Sequence, residues 1–166
     1  MSIAKNKNVV PAMTSYCIKD EKHILIWDFD GIAIKDVIPA LENIQNEHKL
    51  GDIVVLKTKN GYNALCLDKF DIHKAFEIKE ETKHADKSHN KVGYMFDKWC
   101  MRIGDDKEYI ITLHGKNDRE KSLAHAQLIA KWLDLMLYGK KTDRNTLIEM
   151  ETYLSEEHNA PVGVKY

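Results

Sequence analysis

The feature that most constrains this chain is residues 23–34, HILIWDFDGIAI, an apolar run that carries two carboxylates at its end. The run is apolar enough to predict a central β-strand. Because alternate side chains of a strand share a face, Asp28 and Asp30 are expected to point to the same side of the sheet. Two like charges so close together indicate a divalent metal site or an acid/base pair with separated pKa values. The alternative is a strand that ends at Gly31, where both acids simply face water.

Length and composition limit the function classes. A chain of 166 residues suits one domain. Basic and acidic residues nearly balance to a net charge of -1, so any nucleic-acid binding must use a local basic patch. The three cysteines are far apart and form no CxxC pattern, which favours an intracellular, cytoplasmic protein without a zinc site of cysteines. No apolar run is long enough to predict a signal peptide or a membrane span, so no membrane partner is expected.

The rest of the sequence predicts an α+β fold, mainly an antiparallel sheet built from hairpins, with helices packed on one face. Residues 53–67 and 94–114 each contain two apolar runs around a turn, so both are expected to form hairpins in one sheet with the strand ending at Asp28. Helices are expected over residues 37–50, with Gly51 just beyond the end, over a short segment capped by Asp71, and over a C-terminal pair at residues 117–138 and 144–157. Residues 80–91 are polar and predict a loop or a weakly formed helix.

Two further motifs are expected on strands or turns next to the acidic pair. The turn at residues 58–63, TKNGYN, has small residues and lies beside Lys57 and Lys59, so its backbone and charges could approach phosphates. Arg102 lies in the strand-like segment WCMRIG and could bind a phosphate through two parallel hydrogen bonds. Together with a metal held by the two carboxylates, these features are typical of a nucleotide-binding site.

The three motifs, in this order and spacing, resemble the catalytic core of the archaeo-eukaryotic primase superfamily, which includes plasmid- and virus-encoded primase-polymerases. That family carries an hhDxD metal motif, a Ser/Thr-x-x-Gly-Tyr/Phe-His turn that touches the phosphates of the incoming nucleotide, and a third acidic residue. The resemblance covers roughly residues 23–116. It implies an RRM-like primase core, with residues 1–116 as the α+β catalytic core and residues 117–166 as a C-terminal helical part of the same domain.

The resemblance also implies the site residues. Asp28 and Asp30 would be catalytic and would bind Mg²⁺ or Mn²⁺ together with a third acid, for which Asp86 is preferred and Asp97 is the alternative. The residues that would bind the nucleotide and its phosphates are Lys57, Thr58, Lys59, Gly61, Asn63, Arg102 and Lys116. The turn histidine of the family falls on Asn63, which can donate a hydrogen bond but cannot become cationic, so catalysis is expected to be weak or lost.

The expected function is that of a nucleotide- and metal-binding primase/polymerase-like protein in the DNA replication of a plasmid or virus, a nucleotidyltransferase if it is active. Its expected partners are nucleoside triphosphates, a single-stranded nucleic-acid template, and a helicase or other replication proteins. Candidate template contacts are the basic residues that follow and flank the long helix, although a solvated face is the default interpretation of such charges. They are Lys121, Lys131, Lys140, Lys141 and Arg144.

Two alternatives stay open. The segment DFDGI also resembles the DxDGT start of haloacid dehalogenase-like phosphatases, with Asp28 as nucleophile, Asp30 as general acid/base, and Thr58 and Gly104-Asp105-Asp106 completing the site. That fold requires a helix after Thr58 and another after the acidic turn, where this sequence is strand-like. The second alternative is a non-catalytic nucleic-acid-binding module. His84 and His89 flank Asp86 at a spacing that fits no common zinc site, so they are expected to be exposed polar residues.

Overall fold

Within residues 10–104, 106–137 and 162–165, which the computed structural model describes, the chain forms eight strands and four helices. The strands are β1 (Val10–Thr14), β2 (Tyr16–Cys17), β3 (Lys22–Asp30), β4 (Ile53–Lys57), β5 (Gly61–Phe70), β6 (Cys100–Arg102), β7 (Glu108–Leu113) and β8 (Val162–Lys165). The helices are α1 (Ile34–His48), α2 (Ile72–Glu81), α3 (Lys87–Met95) and α4 (Leu123–Leu137). The predicted α+β class with mainly antiparallel sheets is confirmed.

The larger sheet has the strand order β2-β3-β5-β4-β7, and every neighbouring pair in it is antiparallel. The hairpin predicted over residues 53–67 is confirmed as β4 and β5. At the turn between them, the amide of Thr58 donates to the carbonyl oxygen of Gly61 (2.9 Å). A Cβ at Gly61 would lie 2.0 Å from the carbonyl oxygen of Phe29, so the close approach of β5 to β3 requires glycine here.

The hairpin predicted over residues 94–114 is wrong. Its first two residues belong to α3, and β6 and β7 do not pair with each other. Instead β6 pairs with β1 in a separate three-stranded sheet of order β6-β1-β8, and β7 pairs with β4. Both β1 and β4 are distant in sequence from the strands that pair with them. The turn residues between two apolar runs cannot indicate that the runs pair with such distant strands.

The two faces of the five-stranded sheet are covered by different helices. Alternation along β3 turns Trp27 toward α2, where its indole Nε1 donates to Thr82 Oγ1 (2.9 Å) at the end of the helix. The opposite face carries Asp28 and Asn63, which are paired across β3 and β5, and is called the acid face below. The expectation that all helices pack on one face is wrong, since α4 lies over the acid face. An apolar stripe predicts that a helix is buried, but not against which face.

Helix α4 covers only part of the acid face. Its Ile129 and Leu133 line a cavity of about 1030 Å³ together with Val54 and Leu65 of the sheet. The helix begins at Leu123, later than the predicted start at residue 117. The residues before it are not helical: Lys121 forms a β-bridge with Asp68 of β5. The Ser122 hydroxyl then accepts a hydrogen bond from the His125 amide (3.3 Å) as a helix cap.

Two aspartates cap the helices that follow β5. Asp71 accepts a hydrogen bond from the Lys74 amide (2.9 Å), which confirms the predicted cap of α2. The polar residues 80–91 contain the end of α2 and the beginning of α3, where Asp86 accepts from the His89 amide (3.1 Å). The backbone amide of Asp86 also donates to the carbonyl oxygen of Asp28 (2.8 Å), so α3 begins directly beside the end of β3.

The C-terminal part is not purely helical. Strand β8 returns to pair with β1, next to β6. The predicted helix over residues 144–157 lies outside the described residues, so the C-terminal helical pair is represented by α4 alone. None of the described helices is both long enough and apolar enough to cross a bilayer.

His125 provides a test of how α4 is joined to β1. Its imidazole is fully buried between the Ser122 hydroxyl and the Thr14 carbonyl oxygen, to which Nε2–H donates (2.7 Å). Burial lowers the pKa of His125 from 6.5 to about 4, against the opposite effect of the Thr14 carbonyl. Between pH 6.5 and about 4, the imidazole is therefore protonated in the unfolded chain but not in the folded chain. The free energy of unfolding consequently falls as the pH falls through this interval.

We expect wild type to lose on the order of 3 kcal/mol more stability than a His125→Gln variant as the pH falls from 6.5 to about 4. Urea unfolding of both proteins across this range measures the difference, and other titrating groups act equally in both. Parallel stability curves would show that the imidazole is protonated in the folded protein.

Candidate functional site

A cleft of about 200 Å³ opens on the acid face at the end of β3. It brings together the acidic pair of β3, the turn between β4 and β5, part of β6 and one side chain of α3. The residues lining the cleft are Asp28, Asp30, Thr58, Lys59, Asn60, Asn63, His89, Cys100, Met101, Arg102, Asp106 and Lys107. Three motifs that are separate in the sequence therefore contribute to one small polar site.

Asn63 is the central polar residue of the cleft. It lies opposite Asp28 in the pairing of β3 with β5 and is 7% exposed. Its amide Nδ2 donates to the carbonyl oxygen of Trp27 (3.2 Å) and to Asp28 Oδ1 (3.3 Å). Its Oδ1 accepts a hydrogen bond from Lys107 Nζ. The amide group thus links a carboxylate to an ammonium, and this arrangement fixes which way the side chain points.

Lys107 supplies a positive charge beside Asn63, a side chain that carries none itself. The side chain lies in the chain segment between β6 and β7 and is 8% exposed. No sequence motif pointed to it. The available signal was its place shortly after Arg102, in the segment RIGDDK that joins two strands. Because β6 and β7 belong to different sheets, the connection between them passes the cleft, and only the tertiary structure reveals this.

His89 is a second residue that the sequence analysis did not assign to the site. It is half-buried rather than exposed, whereas His84 is exposed as expected. Its Nε2 lies 3.3 Å from the Cys100 carbonyl oxygen in β6, and its Nδ1 lies 3.4 Å from Lys79 Nζ. A hydrogen bond to a carbonyl oxygen requires Nε2 to carry the proton, which leaves Nδ1 as an acceptor for the lysine.

The third acidic residue differs from the expectation. Asp86 lies near the end of β3, but its carboxylate caps α3 and does not line the cleft. Asp97 is exposed, with a φ of 59°, and does not line the cleft either. Asp106 does, and it is exposed. Among the described residues the only group of three close acidic, histidine or cysteine ligands is Glu47, His48 and Glu81, none of which lines the cleft.

The predicted phosphate-binding residues divide into two groups. Thr58, Lys59, Asn63 and Arg102 line the cleft. The other three do not. Lys57 Nζ lies 5.2 Å from the centre of the Tyr62 ring, Gly61 contributes its close backbone contact with β3, and Lys116 lines the large cavity under α4.

Of the basic residues expected to contact a template, those that the structure describes do not line the cleft. Lys121 pairs with Asp68, a carboxylate of β5 with no solvent exposure. Lys131 is exposed on α4. The remaining three, Lys140, Lys141 and Arg144, lie outside the described residues.

Lys79 lies behind the cleft, on α2, with no solvent exposure. Its Nζ is 4.2 Å from the centre of the Trp99 ring and 3.4 Å from His89 Nδ1. Burial lowers the pKa of Lys79 well below its ordinary value of 10.5, although the charges of Asp28 and Glu80 act in the opposite direction. The amine therefore interacts electrostatically with Asp28, one of the acids in the cleft.

No family model, no curated protein and no solved structure matches this chain. The resemblance to primases therefore rests on the motifs alone, and the proposed function is inferred from the geometry of the cleft.

The buried amine gives a stability prediction. Lys79→Met is expected to raise the free energy of unfolding at neutral pH, because methionine fills similar space without a charge to desolvate. This difference in the free energy of unfolding should shrink as the pH rises toward 10.5, because the lysine of the unfolded chain then also loses its proton. The decrease should be at most about 1.4 kcal/mol per pH unit. Denaturant unfolding of wild type and variant measures the difference. Lys83→Met at an exposed position is the control, and a variant less stable than wild type would indicate a stabilising ammonium.

Proposed function

We propose that this chain binds a nucleoside triphosphate with a divalent metal in the cleft, as a primase/polymerase-like protein of DNA replication. One observation carries the proposal: the acidic pair, residues 58–60 of the TKNGYN turn and Arg102 come from separate segments and line the same cleft. An RRM-like primase core is part of the proposal. The chain order β3-α1-β4-β5 supports such a core, because β5 lies between β3 and β4 and is antiparallel to both.

Asp28 and Asp30 would hold Mg²⁺ or Mn²⁺, with Asp106 in place of Asp86 as the third carboxylate. Carboxylate oxygens are the hard ligands that these ions prefer, and all three acids line the cleft. The bound metal would offset the charge of the triphosphate and stabilise the attacking and leaving oxygens of nucleotide transfer.

The basic side chains of the cleft would bind the phosphates. Lys59 belongs to the turn between β4 and β5, Arg102 to β6, and Lys107 to the connection that follows β6. Arg102 can bind a phosphate through two parallel hydrogen bonds. Ligand pockets usually have volumes of about 300–1,000 Å³, so a cleft of about 200 Å³ suits the triphosphate and the metal rather than a whole nucleotide. The base and sugar would extend out of the cleft.

Asn63 favours weak or absent catalysis over efficient synthesis. Its amide is engaged with Asp28 and Lys107, so it positions both charges but cannot itself become a cation. A primer-synthesis assay on single-stranded DNA with all nucleotides separates a slow enzyme from a non-catalytic binding module. The phosphatase interpretation requires a helix after Thr58, and the strand β5 follows instead.

Removal of the acidic pair tests the metal site. A variant with Asp28→Asn and Asp30→Asn is expected to lose the Mn²⁺-dependent part of triphosphate binding, because amides are much poorer ligands for the metal. Isothermal titration calorimetry with Mn²⁺ and a nucleoside triphosphate measures this. Asp36→Asn, an exposed acid in the first turn of α1, is the matched control. An unchanged titration of the double variant would contradict the proposal.

Lys107→Met tests the phosphate site. The loss of a charge-assisted hydrogen bond worth about 1.5–3 kcal/mol should weaken triphosphate binding by roughly ten- to a hundredfold. Lys57→Met, whose lysine lies outside the cleft over Tyr62, should bind as wild type does. Circular dichroism checks that the Lys107 variant is folded. Equal affinities of the two variants would exclude Lys107 from the phosphate site.

A further inference from the structure

We infer that the outer surface of α3 binds a single-stranded nucleic acid and directs it toward the cleft. The surface, called the α3 patch below, consists of Val92, Met95, Phe96, Lys91 and Lys98. Its partner is identified by the combination of exposed aromatic and aliphatic side chains with unpaired lysines. Only the direction of the strand toward Asp28 rests on the proposed nucleotide site.

The apolar part of the α3 patch is strongly exposed. Val92, Met95 and Phe96 have 51%, 74% and 69% of their surface accessible to solvent. Single exposed apolar residues are ordinary, but three of them on adjacent positions of one helix and its cap form a contiguous surface. A nucleic-acid base can stack on an exposed aromatic ring of this kind.

The charged part of the α3 patch is basic. Residues 83–98 contain four lysines and two aspartates, and one of these aspartates, Asp86, is committed to the helix cap. Lys87 pairs with Glu80, whereas Lys91 and Lys98 are exposed and form no ion pair with any described residue. Lysines next to an exposed aromatic ring are the features by which proteins bind single strands through phosphate and base together.

The α3 patch is held on rigid structure. Gly93 packs so closely on Trp99 that a Cβ there would lie 2.0 Å from the indole ring. On the side facing α2, Tyr94 stacks on Phe76 with ring centres 4.4 Å apart. The Phe96 amide donates to the Val92 carbonyl oxygen (3.1 Å), which fixes the aromatic residue at the helix end. A fixed platform costs less conformational entropy when it binds a base.

Helix geometry connects the α3 patch to the cleft. His89, Val92 and Phe96 are spaced as i, i+3 and i+7, so they lie on one stripe of α3. His89 lines the cleft, while Val92 and Phe96 are exposed. A strand stacked on Phe96 would thus be led along the helix to the site that holds the acidic pair.

The composition of the α3 patch favours a nucleic acid over a second protein molecule. The centres of protein interfaces are depleted in lysine, whereas this apolar surface is bordered by lysines. We therefore expect a nucleic acid, and not a second copy of this chain, to bind the α3 patch.

The test measures fluorescence anisotropy of a labelled oligothymidylate without metal or nucleotide, over a series of salt concentrations. Phe96→Ala should weaken binding by at least about fivefold and leave the salt dependence unchanged. Lys91→Gln and Lys98→Gln should each lower the slope of log affinity against log salt by about one. The matched controls are Leu123→Ala, an apolar residue 74% exposed on α4, and Lys19→Gln, an exposed lysine; both should bind as wild type does.

Two results would overturn the inference. The first is that the three α3 patch variants bind the oligonucleotide as tightly as the controls do. The second is that wild type sediments as a dimer and Phe96→Ala as a monomer, which would make the patch an interface between copies of this chain. The variant with Asp28→Asn and Asp30→Asn is titrated with Mn²⁺ and triphosphate in parallel. If that variant keeps triphosphate binding while Phe96→Ala weakens oligonucleotide binding, the proposed function fails and the α3 patch stands.

Discussion

The antiparallel pairing of β3 with β5 is the interaction on which the rest of this structure depends. It places Asp28 directly opposite Asn63 and lets the backbone of Gly61 approach Phe29. The hairpin of β5 with β4 then brings the TKNG turn to the same end of the sheet as the acidic pair. A shift of this pairing by one residue would turn Asn63 to the other face, away from Asp28.

Charge in and behind the cleft is balanced by contacts between distant segments. Asn63 links the carboxylate of Asp28 to the ammonium of Lys107, and Lys79 adds a buried amine on the helix side. Such an arrangement reduces the repulsion between two neighbouring carboxylates in the folded protein. It also makes the site sensitive to Asn63 and Lys107, because removal of either leaves a polar group of the cleft without its hydrogen-bond partner.

Helix α3 joins the helical layer to the cleft. Its cap, Asp86, bonds to the backbone at the end of β3, and its His89 reaches the carbonyl oxygen of Cys100 in β6. Helix α3 therefore contacts both a strand of the five-stranded sheet and a strand of the three-stranded sheet. Its outer face remains in solvent at the edge of the cleft, which is where the proposed nucleic-acid strand would approach.

Sequence patterns were sufficient wherever a short segment determines its own structure. The apolar run of β3, the turn of the 53–67 hairpin and the Asp71 cap all depend on residues close together in the chain, and all three predictions are confirmed. The motifs also selected four of the residues that line the cleft beside the acidic pair. Their common position follows from strand alternation and from the expected hairpin.

Tertiary structure decided what depends on partners distant in sequence. It divided β6 and β7 between two sheets, placed α4 on the acid face, and used Asp86 as a helix cap while Asp106 and Lys107 entered the cleft. Local propensity describes the element that a segment can form, whereas the choice of partner depends on which edges and faces remain free once the central strands have paired. By itself the sequence determined the central strand and its acids, and the packing of remote segments determined which other side chains surround them.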